Sequence, residues 1–197
     1  IHCGDYYEGV SGYWQDAAER GQGKFFNINS DAKIRYIATP YDEKINQYNT
    51  KLNETYIYYG NFGLTNYAKQ SAQDNNAMSI SNENSVNRAV SKSQVIYCND
   101  SWDLIDKLDQ DSEYINELDM NTLPEKYQKM SKEELQKEVD EMNRTRNEIK
   151  EDINELAKKR QDFIDEKMKE ENIEDDFGVA IESSILEFAK KKGFEVK

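Results

Sequence analysis

Cysteine, histidine and an excess of positive charge are what this 197-residue sequence lacks most. Its two cysteines, Cys3 and Cys98, lie too far apart for a C-x-x-C clamp and supply at most half of a tetrahedral zinc site. A disulfide between them is open only in an oxidising compartment. Cys3 is otherwise expected as a small buried hydrophobe. His2 is the single histidine, so imidazole acid–base catalysis would rest on that residue alone. No stretch approaches 18 apolar residues and none has the layout of a signal peptide, so no membrane insertion is expected. The 26 lysines and arginines face 39 aspartates and glutamates, and the net charge of −13 repels nucleic-acid phosphates and anionic lipid headgroups. Nucleic acid is not expected as a partner.

What is present is unevenly distributed. Residues 1–100 carry a net −2 and residues 101–197 a net −11, while seven of nine glycines and eleven of thirteen tyrosines fall in the first hundred. Turns and flat aromatic packing are expected there, Glu/Lys/Asp/Leu helix beyond, and a boundary near residue 100.

The opening Ile1-His2-Cys3-Gly4 reads as a strand too short to stand alone, as though the chain begins inside an element. Ser11 is expected to cap a helix carrying Tyr13, Trp14, Ala17 and Ala18, with Gly21 as the left-handed residue that ends it. Lys24-Phe25-Phe26-Asn27-Ile28 reads as a second strand, which makes a βαβ unit with a parallel pair. Such pairs are covered by helices on both faces, so further strands are expected from upstream of Ile1 or from 34–38 and 55–59. Thr39-Pro40 then opens an amphipathic helix whose Tyr41, Ile45, Tyr48 and Leu52 share one face, with Asp42, Glu43, Lys44 and Lys51 on the others. That apolar face is expected to dock onto a sheet.

Several separated motifs carry a resemblance. Ile1-His2-Cys3-Gly4-Asp5, Gly12-Tyr13-Trp14-Gln15-Asp16-Ala17-Ala18 and Gly21-Gln22-Gly23-Lys24-Phe25-Phe26-Asn27-Ile28 resemble the last strand–helix–strand of a bacterial von Willebrand factor type A (vWA) domain. The continuation resembles one branch of those proteins through Thr39-Pro40-Tyr41-Asp42, Leu52-Asn53-Glu54-Thr55-Tyr56, Tyr58-Tyr59-Gly60 and Ala72-Gln73-Asp74. Arg88-Ala89-Val90-Ser91-Lys92-Ser93 and Ser101-Trp102-Asp103-Leu104-Ile105-Asp106 extend the match, ahead of a long charged helix. The resemblance implies a Rossmann-like domain that binds partners through Mg²⁺ held by an Asp-x-Ser-x-Ser loop, with a Thr and an Asp from later loops. No aspartate here begins that motif, and all three loops precede the strand that resembles 1–4, so no metal ligand or cofactor is assigned to this chain. Mg²⁺ would belong to the upstream part. The family likeness also implies an exported bacterial protein, periplasmic or at the cell surface.

Residues 61–97, rich in Asn, Ser, Gln and Ala, are expected to form two short helices separated near 79–82. Ser91-Lys92-Ser93 has the wrong spacing for an acyl-transfer Ser-x-x-Lys and reads as a solvated or helix-packing face. Asp109, Asp111 and Glu113 alternate like the start of a calcium loop, but the glycine and the closing glutamate are missing, so surface charge is the reading. Trp102, Leu104, Ile105 and Leu108 mark a docking helix capped by Asp100 or Ser101. Thr122-Leu123-Pro124-Glu125 and Ser131-Lys132-Glu133-Glu134 are two capping-box patterns.

The second box opens a helix expected over about 132–172, without Gly or Pro. Leu135, Met142, Ile149, Leu156 and Phe163 repeat every seven residues, and Val139, Arg146, Ile153 and Arg160 fall between them. This seam is the candidate interaction surface. It is to be covered by the chain's own helices, around 102–118 or at the closing Phe177–Lys192, or by a partner or second copy. Arg146 and Arg160 make a poor homodimer zipper and call for acidic residues opposite them.

The expected architecture is therefore an α/β remnant over 1–52, a short-helix connection over 53–100 and an acidic helical extension over 101–197. The expected function is non-catalytic: protein–protein or surface-ligand binding, as the C-terminal scaffold of a vWA-type binder. A structural spacer or oligomerisation module built on the long helix is the alternative. An unrecognised hydrolase is a second, without a nucleophile–base pair, phosphate loop or metal cluster to support it.

Overall fold

A computed structural model describes residues 2–28, 36–171 and 176–194, without the side chains of 176–180, 183 and 184. The chain divides into two compact units, Ile1–Tyr36 with Glu166–Lys197, and Ile37–Asp165.

In the first unit, strand β1 (His2–Cys3) leads into helices α1 (Tyr6–Ser11) and α2 (Trp14–Arg20) and then strand β2 (Asn27–Ile28). The strands pair in parallel, His2 opposite Asn27 and Cys3 opposite Ile28, as the strand–helix–strand pattern requires. Asp5, not Ser11, caps the first helix, accepting from the Tyr7 and Glu8 amides at 2.8 and 3.1 Å. Ser11 ends that additional helix, and the helix expected after Ser11 is α2, which starts behind Tyr13 with φ 64° and no side-chain cap. Gly21 has φ −77°, and the left-handed residue after α2 is Gln22. His2 and Phe25 pack over Gly9 and bury it, and a Cβ there would meet the His2 ring at 2.7 Å and Phe25 at 2.9 Å. The His2 Nδ1–H donates to Asn27 Oδ1 at 2.7 Å and so ties the two strands. Cys3 is exposed rather than buried, as is Cys98, and both are free thiols. Helix α9 (Asp176–Lys191) belongs to this unit, and its Glu187 pairs with Lys24.

The strand expected over 34–38 lies partly outside the described residues, and 36–38 form no strand. Of 55–59, only Tyr58 joins a bridge, antiparallel to Asp103.

The second unit is helical: α3 (Asp42–Glu54), α4 (Gly63–Ile80), α5 (Asn82–Ser93), α6 (Leu104–Gln110), two 3-10 turns (Ser112–Asn116 and Met120–Thr122), α7 (Glu125–Gln128) and α8 (Lys132–Glu171) as far as Asp165. The apolar face of α3 meets helices, not a sheet: Ile45 and Leu52 pack with Val86 and Ala89 of α5 and with Ile149 and Ile153 of α8. The helix therefore belongs with the second unit, and the boundaries drawn at 52 and 100 both fall inside Ile37–Asp165. Asp42, expected on an outer face, is buried because it closes the helix start: its carboxylate accepts from the Thr39 amide at 3.1 Å and the Thr39 hydroxyl at 2.7 Å.

The break between α4 and α5 falls at Ser81, whose hydroxyl accepts from the Asn84 amide at 3.0 Å. Asp103, rather than Asp100 or Ser101, caps α6. The Thr122–Glu125 box does not form, since Pro124 precedes α7 without a side-chain cap. The Ser131–Glu134 box does: the Ser131 hydroxyl accepts from the Glu134 amide at 3.1 Å, and Glu134 Oε2 accepts from the Ser131 amide at 2.8 Å. The 40 residues of α8 rise about 60 Å along the axis.

Two apolar clusters lie along α8. Leu135 and Val139 enter one with Ile57, Leu104, Ile105, Leu118, Leu123 and Tyr127; Ile149 and Ile153 enter the other with Ile45, Leu52, Val86 and Trp102. Arg146 stands between them in the helix sequence, and Arg160 lies beyond the second.

Candidate functional site

Two buried cationic nodes organise the polar chemistry of the second unit. The first is built on Arg146, which is 1% exposed. Its guanidinium has five N–H donors, and each finds an acceptor. Nε–H donates to the Thr55 hydroxyl at 2.9 Å; Nη1 donates to Asp103 Oδ2 at 2.5 Å and Asp106 Oδ1 at 2.9 Å. Nη2 donates to the Thr55 carbonyl at 2.8 Å and Asp103 Oδ1 at 3.2 Å. The group also lies 4.5 Å from the centroid of the Tyr56 ring. The carboxylates have work besides Arg146: Asp103 takes the Ile57 and Asp106 amides, and Asp106 Oδ2 takes the Asn99 amide at 2.7 Å. Burial pushes the Asp103 carboxyl up against the pull of Arg146. Burial also raises the Tyr56 phenol, and raises that of Tyr59 to about 12. With its oxygens committed to Arg146 and to backbone amides, the Asp103–Asp106 pair does not fit a Mg²⁺ site. Among the described residues no cluster of three or more His, Cys, Asp or Glu could hold a metal ion.

The second node is built on Lys92, expected on a solvated or packing face and found fully buried. Its ammonium donates to Asn49 Oδ1 at 2.9 Å, Asn53 Oδ1 and Asp74 Oδ2 at 2.6 Å. All three protons are used, so Lys92 offers no lone pair for nucleophilic attack. Asp74 Oδ1 also accepts from Arg88 Nε at 2.7 Å. Burial drives the Lys92 amine down, with Asp74 opposing. Burial acts against ionised Asp74 as well, but Lys92, Asn53 and Arg88 more than offset it and hold the carboxyl below its ordinary range. Of the flanking serines, Ser93 is tied to the Val90 carbonyl and to Asn154 Oδ1 of α8 at 2.7 and 2.9 Å, and Ser91 donates to the Asn87 carbonyl.

From this second node a relay leads outward. Arg88 Nη2 donates to the Tyr97 hydroxyl at 3.2 Å, which donates to Gln70 Oε1 at 3.0 Å. Gln70 lines an open groove of about 300 Å³ together with Asn66, Lys69 and Gln73 of the same α4 face and with Tyr97, Asn99 and Trp102.

The seam residues mostly face the chain's own core. Leu135, Val139, Arg146, Ile149, Ile153 and Arg160 are buried, and Met142, Leu156 and Phe163 are partly exposed. Arg160 Nε donates to Asp42 Oδ1 at 2.9 Å, so both arginines meet the acidic partners their positions called for. A partner reading this seam would have to displace those contacts.

The second node was missed because its residues come from three helices, none polar enough to stand out. The signal was a polar i, i+4 pair on each: Asn49/Asn53, Gln70/Asp74 and Arg88/Lys92. Asp109, of the discarded calcium pattern, accepts from Asn143 Nδ2 of α8 at 2.7 Å.

Together, the parallel strand pair and the helical unit with its buried charge nodes define a mainly α protein with a small α/β part. No family model matches the chain, and no curated protein or solved structure matches it. Among the described residues no helix is long and apolar enough to cross a membrane.

Proposed function

We propose that the chain is a non-catalytic binding protein, the C-terminal scaffold portion of a vWA-type domain that binds protein partners or surface ligands. The observation that supports this most is the parallel register of β1 and β2 across a helical crossover. A parallel pair belongs in a larger sheet covered by helices on both faces. The exposed Tyr6, Tyr7, Tyr13 and Trp14 beside it offer aromatic surface for such a layer. In the helical unit, the cation nodes serve the scaffold: they fix α3, α5, α6 and α8 by hydrogen bonds rather than presenting a reactive group.

The spacer or self-association reading is weaker, because the seam it needs is occupied by Asp103, Asp106 and Asp42 and by both apolar clusters. Reading the coding sequence upstream of Ile1 tests the proposal. The expected result is further strand–helix units containing an Asp-x-Ser-x-Ser loop; upstream sequence without that loop, or a start codon directly before Ile1, overturns it.

A further inference from the structure

In the second node an amine and a carboxamide meet across a carboxylate that touches both. Lys92 is fully buried, and its Nζ is hydrogen-bonded to Asn53 Oδ1, one bond away from the carboxamide carbon. Asp74 Oδ2 accepts from Lys92 Nζ at 2.6 Å and from Asn53 Nδ2 at 2.7 Å. A carboxylate only accepts and an ammonium only donates, so the two contacts fix the Asn53 amide with Nδ2 toward Asp74 and Oδ1 toward Lys92. One oxygen therefore lies against the amine and against the nitrogen that substitution at the carboxamide carbon would expel. Asn49 also gives Lys92 an oxygen, at 2.9 Å, but among the described residues no carboxylate holds its amide nitrogen.

The surroundings favour transfer of a proton out of the ammonium. Burial drives the Lys92 amine down; Asp74 opposes this and Arg88 adds to it. Arg88 Nε occupies the other Asp74 oxygen at 2.7 Å, which leaves Oδ2 facing Lys92 and Asn53. As an ammonium Lys92 has no lone pair, so a reaction begins only when Asp74 takes one of its protons. Groups held in contact by a folded chain react with the advantage of an intramolecular step. Asn53 and Asp74 are half-buried, so a small leaving group has a way out.

We propose that Lys92 and Asn53 close an intramolecular amide bond that ties α5 to α3, with Asp74 as the acid–base residue. Asp74 Oδ2 takes a proton from Lys92, and the freed Nζ lone pair attacks Asn53 Cγ. The Cγ–Nζ bond forms and the Cγ–Nδ2 bond breaks, while Asp74 hands the proton to Nδ2, which leaves as ammonia. The second proton lost by Nζ departs with the ammonia as ammonium, and Asp74 is ionised again. No electron is gained or lost and no co-reactant is needed. Like a disulfide, the link would restrain the unfolded chain between residues 53 and 92. Stability comparisons at Lys92 refer to the chain before this bond closes. The inference is independent of the vWA reading, since every residue belongs to Ile37–Asp165.

The test is the intact mass of the purified full chain under denaturing conditions, followed by tryptic digestion. The chain should be lighter than its sequence by one ammonia. Trypsin should leave Lys92 uncut and release peptide 52–69 joined to peptide 89–107, with fragmentation placing the link at Asn53. Lys92→Arg should show its full sequence mass, and so should Asp74→Ala with an unchanged circular dichroism spectrum. If either variant fails to fold, the parent mass and the joined peptides decide. A parent chain at full sequence mass, or ammonia loss with Lys92 still cut, overturns the proposal. So does a link from Lys92 to peptide 45–51, which carries Asn49, or loss of one water with a link to peptide 70–88, which carries Asp74. A folded Asp74→Ala chain that loses ammonia as completely as the parent overturns the role of Asp74.

Discussion

Arg146 and Lys92 are both buried cations on helices; Arg146 bonds Asp103, Asp106 and Thr55 just after α3, and Lys92 bonds Asp74 and two asparagines of α3. They differ in how their networks end. Around Arg146 five donors meet five acceptors, and the carboxylates spend their remaining lone pairs on backbone amides. Around Lys92 the ammonium is satisfied, but the chain continues through Asp74, Arg88 and Tyr97 to Gln70 and stops at an unused N–H in an open groove. The first network closes on itself inside the core, whereas the second runs from the core out to an open polar surface.

The comparison can be broken at either node. Arg146→Met strands two carboxylates between the apolar clusters, and urea unfolding should show a loss of about 3–5 kcal/mol. Lys92→Met should cost less, about 2 kcal/mol, because Asp74 keeps Arg88 as a partner and only the Asn49 and Asn53 oxygens lose their donor. A larger loss from Lys92→Met than from Arg146→Met would reverse the ranking of the two nodes.

Acid sharpens the contrast further. Asp74 is held below the ordinary carboxylate range, so it contributes stability that is fully present above the unfolded carboxyl pKa and lost as pH falls through the folded value. Asp74→Asn should flatten this part of the acid limb in pH-dependent urea melts. At the alkaline end the sign is opposite in pH. Tyr59 is raised to about 12, so its contribution is intact below the ordinary tyrosine value and fades as pH rises from there to about 12. Ultraviolet absorbance should show a tyrosine ionisation above the ordinary tyrosine range that is missing from Tyr59→Phe.

The periodic parts of this fold were legible in advance: the parallel strand pair, the helix after Pro40, the break near Ser81 and the long helix with its seven-residue repeat. Arg146 and Arg160 were legible too, as cations in an apolar stripe that needed acidic partners. The partners' identity was not, since Asp103 reaches Arg146 from 43 residues away and Asp42 reaches Arg160 from 118. Sequence periodicity could not say that α3 packs on helices instead of strands, because an apolar face is compatible with both. Lys92 was left open between a solvated and a helix-packing face because a buried lysine is uncommon without partners, and its partners lie on α3 and α4. The groove was invisible for the same reason: its lining comes from α4 and from residues 97–102, which only the fold brings together.

The claim on which the contrast between the two nodes depends is that α8 is tied into its own chain through Arg146 and Asp103. A double-mutant cycle measures that tie directly, using Arg146→Met, Asp103→Asn and the combined variant in urea unfolding. A genuine buried pair predicts that the combined variant loses at least about 2 kcal/mol less than the sum of the two single losses. Losses that add, with no coupling between the two sites, would contradict it.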